Sequence, residues 1–337
     1  MILASLAEAC AAGAGLAAAC RLIGISPRTV ERWRARPDSD DLRCGPKRTP
    51  TNALSQAEQA QVVTVMTSTR YQGVSPNQLV PMLADEGLYL ASESTMYRLR
   101  RKLGLRSRRP SVGRTDVARA SRLHRATGPN QVWSWDITWL PTPVRGRYLY
   151  LYLVVDVWSR RIVGWSIEEH ETAEAAAVLI QRICRDTGVD PKGLVLHSDN
   201  GKPMRGSTMV ATLQRLGIIP SFSRPHVSDD NPYSEALFRT LKYTPSYPNL
   251  PFADVEVASR WMARFAAWYN SEHRHSGIRF VTPDERHFGV EAGVLERRDT
   301  LYARAKASNP ERWSSKTRNW TAVGAVVLNP EPAARAA

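Results

Sequence analysis

Hydrophobic and polar positions change period along this chain, and the changes divide it. From Leu16 to Ile23 small apolar residues follow a helical spacing, Gly24-Ile25-Ser26 makes a turn, and Pro27 opens a second helix running to about Arg36. Ser26 is placed to cap that helix, and Pro27 suits its first turn. The segment from Asp38 to Asn52, rich in Pro, Asp, Arg and Lys, reads as a linker. Helical spacing returns near Gln56 to Ser68, Pro76 to Glu86 and Glu93 to Leu103, with Ser75 and Ser92 as candidate caps and Gly87 as a stop. At Gln131 the texture changes to strands. The run Gln131 to Leu140 is rich in β-branched and aromatic residues, and Arg147 to Val157 puts Leu149, Leu151, Leu153 and Val155 on one face. Arg161 to Ile167 follows the tight Trp158-Ser159-Arg160 connection. An alanine-rich helix, Thr172 to Thr187, leads to a short strand, Leu194 to His197, and a helix at Ser207 to Leu216 leads to another, Ile218 to Phe222. Two late helices are predicted around Tyr233 to Tyr243 and Asp254 to Ser271.

Three strands joined by short turns form an antiparallel meander, whereas a strand reached through a helix needs a parallel partner. The order β-β-β-α-β-α-β, with helices after it, therefore predicts an α/β fold. It is the order of a ribonuclease H-like core, a mixed five-stranded sheet with flanking helices, here preceded by all-α helix-turn-helix units. The expected division is a helix-turn-helix unit and linker at 1–50, a second such unit at 51–104, a basic linker at 105–130, the core at 131–290 and a tail at 291–337. Arg28, Thr29, Arg32 and Arg36 lie on faces of the first unit's second helix that can reach a major groove, and Thr95, Tyr97, Arg98, Arg101 and Lys102 do the same in the second unit. A helical hairpin with a basic surface would carry the same pattern. The tail, with Trp313 and Trp320 among basic residues, is either a small DNA-contacting module or a packing arm.

Charge sharpens this reading. The net charge is +14, and residues 1–130 hold 20 basic against 10 acidic residues. Between Arg98 and Arg125 stand eleven basic residues and one acid, Asp116. Such an excess is the electrostatic footprint of a nucleic-acid binder, because neutralised phosphates release their counterions. The four cysteines, Cys10, Cys20, Cys44 and Cys184, contain no Cys-x-x-Cys pair, so neither a zinc knuckle nor a disulfide framework is expected. The Ala-rich start lacks the basic leader of a signal peptide and carries Glu8, and no stretch reaches the roughly 18 apolar residues of a membrane span. A soluble intracellular protein, independent of membranes, is expected.

Three carboxylates stand out. Asp136 lies inside the first strand among Trp133, Trp135 and Ile137, where an acid is costly unless it binds something. Asp199 falls just past the fourth strand, in His197-Ser198-Asp199-Asn200-Gly201, and Glu235 opens a helix. Taken singly, Asp199 is equally a turn aspartate and Glu235 equally a first-turn glutamate that complements the helix dipole. Phosphodiester chemistry gives converging carboxylates a use, because two divalent cations can activate a nucleophile, stabilise a leaving oxygen and neutralise phosphate charge. Mg²⁺ takes oxygen ligands and keeps several waters, so two or three acids suffice when DNA phosphate completes the shell. His197 and Asn200 are accessory candidates for orienting water or phosphate; for His197, packing at a strand end is equally plausible. Asp156, Asp229 and Asp230 are rival acids.

Together the blocks Val132 to Thr138, His197 to Gly201, and Asp230-Asn231-Pro232-Tyr233-Ser234-Glu235 with Lys242 resemble the catalytic signatures of the insertion-sequence 3 family of bacterial DDE transposases, relatives of retroviral integrases. Thirty-five residues separate Asp199 from Glu235, the spacing of that superfamily. The resemblance runs from about Gln131 to Gly289 and takes in Trp268-Tyr269-Asn270, Arg274-His275-Ser276-Gly277-Ile278 and Thr282-Pro283. It implies a polynucleotidyl transferase in which Asp136, Asp199 and Glu235 hold two Mg²⁺ or Mn²⁺ ions and Lys242 contacts terminal DNA. It also implies double-stranded DNA as partner, both terminal inverted repeats and target, a homo-oligomer on DNA, and a first joining between the element's own ends. Arg239 joins Glu235 and Lys242 on one helix face by its spacing. His226, His273 and His275 have no Cys partners, so the zinc-binding amino domain of integrases is not expected. The chain departs from the family pattern in carrying helix-turn-helix units and core together, with no sustained heptad. An inactive DNA-binding regulator and a nuclease that cuts without joining remain the alternatives.

Overall fold

In a computed structural model, the structure describes residues 2–35, 50–105, 124–223 and 231–328. The chain divides into two compact units, Met1–Ala53 and Leu54–Ala337. The first holds three helices, α1 (Ile2–Ala11), α2 (Leu16–Ile23) and α3 (Pro27–Ala35). Leu6, Cys20 and Val30, one from each helix, are buried together. Gly24 ends α2 in the left-handed conformation at φ 75°, which side-chain-bearing residues rarely adopt, and Ser26 Oγ accepts from the Thr29 amide at 3.2 Å. Arg28 and Arg32 are exposed on α3, while Thr29 is half-buried and its hydroxyl meets that of Ser26 at 2.9 Å. Arg36 and Cys44 lie outside the described residues, as does nearly all of the expected linker. The sequence pattern missed α1, whose alanines carry no clear apolar stripe.

The second unit opens with α4 (Gln56–Thr67), α5 (Pro76–Asp85) and α6 (Glu93–Lys102). Ser55 and Glu58 form a capping box on α4, and Ser92 caps α6 through the Thr95 amide; Ser75 makes no side-chain cap bond. Of the candidate DNA contacts on α6, Tyr97, Arg98, Arg101 and Lys102 are exposed, and Arg98 also donates to Thr95 Oγ1 at 2.9 Å. Most of the expected basic linker lies outside the described residues.

The sheet follows as β1 (His124–Ala126), β2 (Val132–Pro141), β3 (Tyr148–Asp156) and β4 (Ile162–Glu168), then α7 (Ala173–Thr187), β5 (Val195–Ser198), α8 (Lys202–Arg205), α9 (Ser207–Leu216) and β6 (Ile219–Phe222). Five strands lie in the order β4-β3-β2-β5-β6, antiparallel through the meander and parallel at β2–β5 and β5–β6. This is the ribonuclease H-like sheet. Two helical elements, α10 (Pro232–Tyr243) and α11 (Val255–Ser271), cover one face against Leu149, Leu151, Leu153 and Val155, while α7 and α9 cover the other against Trp133, Trp135, Tyr152 and Val154. Period-two alternation thus feeds two cores from one sheet. Asn270 fastens α11 to β4 by accepting from the Ile162 amide at 2.9 Å and donating to its carbonyl at 3.0 Å.

After α12 (Pro283–His287) comes an 18-residue helix, α13 (Glu291–Ser308), and a short strand, β7 (Val326–Leu328), that pairs antiparallel with β1. Val294, Leu295, Tyr302 and Trp320 bury themselves with Leu79, Leu83 and Met96 of the second helical unit, and Trp313 stacks on Tyr89 at 5.2 Å. The tail in these residues is the packing arm. Arg298, fully buried, grips Asp85 through two bonds of 2.6 and 2.8 Å and caps the carbonyls of Arg279 and Phe280, both at φ 59°. Two consecutive left-handed residues that are not glycine are strained, and the guanidinium holds them there.

Candidate active site

The parallel register of β2 and β5 brings the first two carboxylates together. Ser134 pairs with His197, so Asp136 and Asp199, each two residues further along neighbouring parallel strands, come side by side. Asp199 stands at the carboxyl end of β5, where the chain turns; its Oδ1 accepts from the Gly201 amide at 2.9 Å. A Cβ on Gly201 would lie 3.1 Å from that oxygen and 2.9 Å from Met204 Sδ, so a larger residue presses on the carboxylate.

The third carboxylate arrives on α10. Ser134 lies on the same face of β2 as Asp136, and its buried hydroxyl meets Asn231 Oδ1 and, at 2.7 Å, Ser234 Oγ. Asn231 also donates from Nδ2 to the Trp135 carbonyl at 3.1 Å. These bonds dock the first turn of α10 onto the strand segment that leads into Asp136, with Glu235 the next residue after Ser234. Ser134, Asn231 and Ser234 are positioning residues that the sequence pattern gave no role. All three stand in the blocks that carry the family resemblance, and Ser134's place two residues before Asp136 on a period-two strand is the one physical signal among them.

The electrostatics record the convergence. Burial pushes the Asp136 carboxyl up from 3.8 to about 7, and the charges of Asp199, Glu235 and Glu171 add to the rise against one opposing bond from the Ile137 amide at 2.8 Å. Among the described residues no three His, Cys, Asp or Glu side chains gather tightly enough to hold a metal ion on their own. Glu235, Arg239 and Lys242 are all exposed on one face of α10.

The remaining candidates are distributed differently. Asn200 donates to the Ser223 carbonyl at 2.6 Å, and its buried Oδ1 has no donor among the described residues. His197 is buried, with Ser221 Oγ 3.0 Å from Nδ1 and Ser223 Oγ 3.4 Å from Nε2, so it is packed at the strand end. Asp156 is fully buried and accepts from the Asn130 and Ser159 amides, both at 2.7 Å, and from Ser159 Oγ at 2.6 Å; it closes the Trp158-Ser159-Arg160 turn. Asp229, Asp230 and His226 lie outside the described residues. His275 accepts from the Gly277 amide at 3.1 Å, and burial, helped by Arg160 and His273, lowers it from 6.5 to about 3, so it is neutral near pH 7. Arg274 pairs with Asp85 and Glu285, each at 2.8 Å, joining the core to α5.

Two integrase core domain family models match residues 126–228 and 216–283. The transposase for insertion sequence element IS904 of Lactococcus lactis is 28% identical over 199 residues, covering 59% of this chain and 75% of that protein. Transposase InsF for insertion sequence IS3A of Escherichia coli is 30% identical over 161 residues, covering 48% of this chain and 54% of that protein; the match spans about half of that relative's length. Among solved structures, the HTLV-2 integrase catalytic core in complex with magnesium aligns with a TM-score of 0.34 at 21% identity, over 48% of this chain and 96% of that one. The chain thus carries a match to an integrase core domain over residues 126–283 and is similar in sequence to transposases of bacterial insertion sequences.

Proposed function

We propose that this chain is a DNA transposase that cuts and joins DNA at the ends of an insertion sequence, with Asp136, Asp199 and Glu235 as the carboxylates of the reacting site. The observation that carries the reading is Asp136, half-buried in a strand beside two like charges and raised to about 7. A fold gains nothing by gathering acids in that way, and a cation offsets the repulsion. The donor set suits Mg²⁺ or Mn²⁺, being all carboxylate oxygen, with Asn200 Oδ1 as a further acceptor beside Asp199. When bound, the ions would supply charge neutralisation at the phosphate and activation of the attacking oxygen.

The chain's own residues do the rest. Asp136 holds a proton near neutral pH in the bare protein and releases it in favour of a cation. Ser134, Asn231 and Ser234 fix the helix that carries Glu235, and Arg239 and Lys242, on the same face, take DNA phosphates. A water attacks one phosphodiester and leaves a 3′ hydroxyl; that hydroxyl, held in line, attacks a second phosphodiester and displaces its 3′ oxygen. The helical units, through Arg28, Thr29, Arg32, Thr95, Arg98 and Arg101, recognise the terminal repeats, and copies of the chain assemble on DNA. Among the described residues no helix is long and apolar enough to cross a membrane.

The test is a plasmid carrying the element's two ends, incubated with the full chain in Mg²⁺ or Mn²⁺ and compared with Asp199→Asn. Wild type gives nicked and joined DNA while the variant binds and gives neither. Binding without reaction in both proteins would defeat the catalytic reading, and nicking without joining would leave a nuclease.

A further inference from the structure

A cleft of about 780 Å³ lies within the second unit, between residues 70–78, which lead into the first turn of α5, and the helices α10 and α11. None of its lining residues is acidic, whereas Arg70, Arg239 and Arg264 all face it. Arg239 and Arg264 are exposed, and among the described residues neither makes an ion pair or a hydrogen bond; Arg70 is shared with Glu86 at 2.6 Å. Aromatic rings fill the space between these cations. Trp261 and Phe265 stack at 5.6 Å, Trp268 lies 5.8 Å from Phe265, and Tyr243 stands 62% exposed at the rim. The wall is held in place, since Trp261 Nε1 donates to the Ser246 carbonyl at 2.9 Å.

Unpaired cations beside the exposed ring of Tyr243 and the half-buried ring of Trp268 suit a ligand that is anionic and flat at once. The cleft also continues from the carboxylates, because Glu235, Arg239 and Tyr243 follow one another at i, i+4 and i+8 along α10. We propose that this cleft binds unpaired nucleotides of a DNA strand, with bases stacked on Tyr243 and Trp268 and phosphates on Arg239 and Arg264. A duplex keeps its base faces stacked inside, so rings of this kind discriminate in favour of a single strand. Assigning that strand to the DNA passing Asp136, Asp199 and Glu235 rests on the function proposed above; the binding chemistry does not.

The test uses the full chain in EDTA, so no cleavage is needed. A fluorescent duplex is titrated blunt-ended, and again with an unpaired oligothymidine tail on one end. The tailed duplex binds about tenfold tighter to wild type, given the strength of base stacking on aromatic side chains. Tyr243→Ala and Arg264→Ala, both at exposed positions, each remove most of that preference and leave the blunt duplex unaffected, while Arg264→Lys restores part of it. Equal affinity for the two DNAs in wild type, or variants that keep the preference, overturns the proposal. A chain that prefers the tail but never nicks DNA in Mg²⁺ refutes the catalytic reading alone, and one that nicks without preferring the tail refutes the cleft alone.

Discussion

Replacing Asp136 by Asn tests the electrostatics of the site without any DNA. The carboxyl ionises near 3.8 in the unfolded chain and near 7 in the folded one. Between those values the folded state holds the extra proton, so stability falls as pH rises through this window and the penalty levels off above about pH 7. At about 1.4 kcal/mol per pH unit, the cost of folding around Asp136 is about 1.5 kcal/mol at pH 5 and about 4 kcal/mol at pH 8. The amide is nearly isosteric, still accepts from the Ile137 amide, and has no charge to bury. In urea unfolding with EDTA, the stability of Asp136→Asn relative to wild type should therefore grow by about 2.5 kcal/mol between pH 5 and pH 8, all other titrations cancelling in the difference. Nine of the ten tryptophans lie in the second unit, so their fluorescence reports the relevant transition. A pH-independent difference between the two proteins would refute the claim that Asp136 is desolvated and set against like charges. Mg²⁺ adds a second arm: it stabilises wild type at pH 8 and leaves the variant unmoved.

Other consequences follow from the same contacts. Asn231→Ala takes its side-chain donor from the Trp135 carbonyl and leaves Ser134 with Ser234 alone; it should cost about 1–3 kcal/mol in denaturant unfolding and lower strand-transfer rate more than DNA affinity. Arg298→Met leaves Asp85 with Arg274 as its remaining cation and uncaps the Arg279 and Phe280 carbonyls, and an unfolding loss of about 1–3 kcal/mol is expected. Arg312→Ala breaks only the half-exposed pair with Glu58, worth under about 1 kcal/mol in the same measurement. Gly201→Ala presses on Asp199 Oδ1 and Met204, so metal-dependent nicking should fall with little change in binding to DNA.

The five strands of the main sheet and most helices were legible because their patterns are local, whereas β1 and β7, three residues each, fell in the expected linker and tail. Leucines alternate through β3, and Gly24, Gly87 and the Ser caps mark helix ends within a few residues. α13 was not, since its buried face includes Arg298 and Glu291, charged residues whose partners lie elsewhere in the fold. Asp136 drew attention as an acid among aromatics, but its nearness to Glu235 depends on Ser134, Asn231 and Ser234, small polar residues whose meaning appears only when two segments ninety-odd residues apart are joined. In the same way, Arg274 and Asn270 read as parts of a catalytic signature, and the structure employs them in holding α5, α11 and β4 in place. The cleft escaped because one wall comes from residues 70–78 and the other from α10 and α11.

The central claim is that Asp136 and its partners touch the metal that serves phosphodiester chemistry. Asp136→Cys offers the direct measurement, because a thiolate ligates Mg²⁺ poorly and takes softer ions readily. The account predicts that this variant binds end-bearing DNA, fails to nick or join it in Mg²⁺, and recovers part of both reactions when Mn²⁺ or Zn²⁺ is supplied. Full activity in Mg²⁺, or no recovery with any softer ion in a folded, DNA-binding variant, would contradict it.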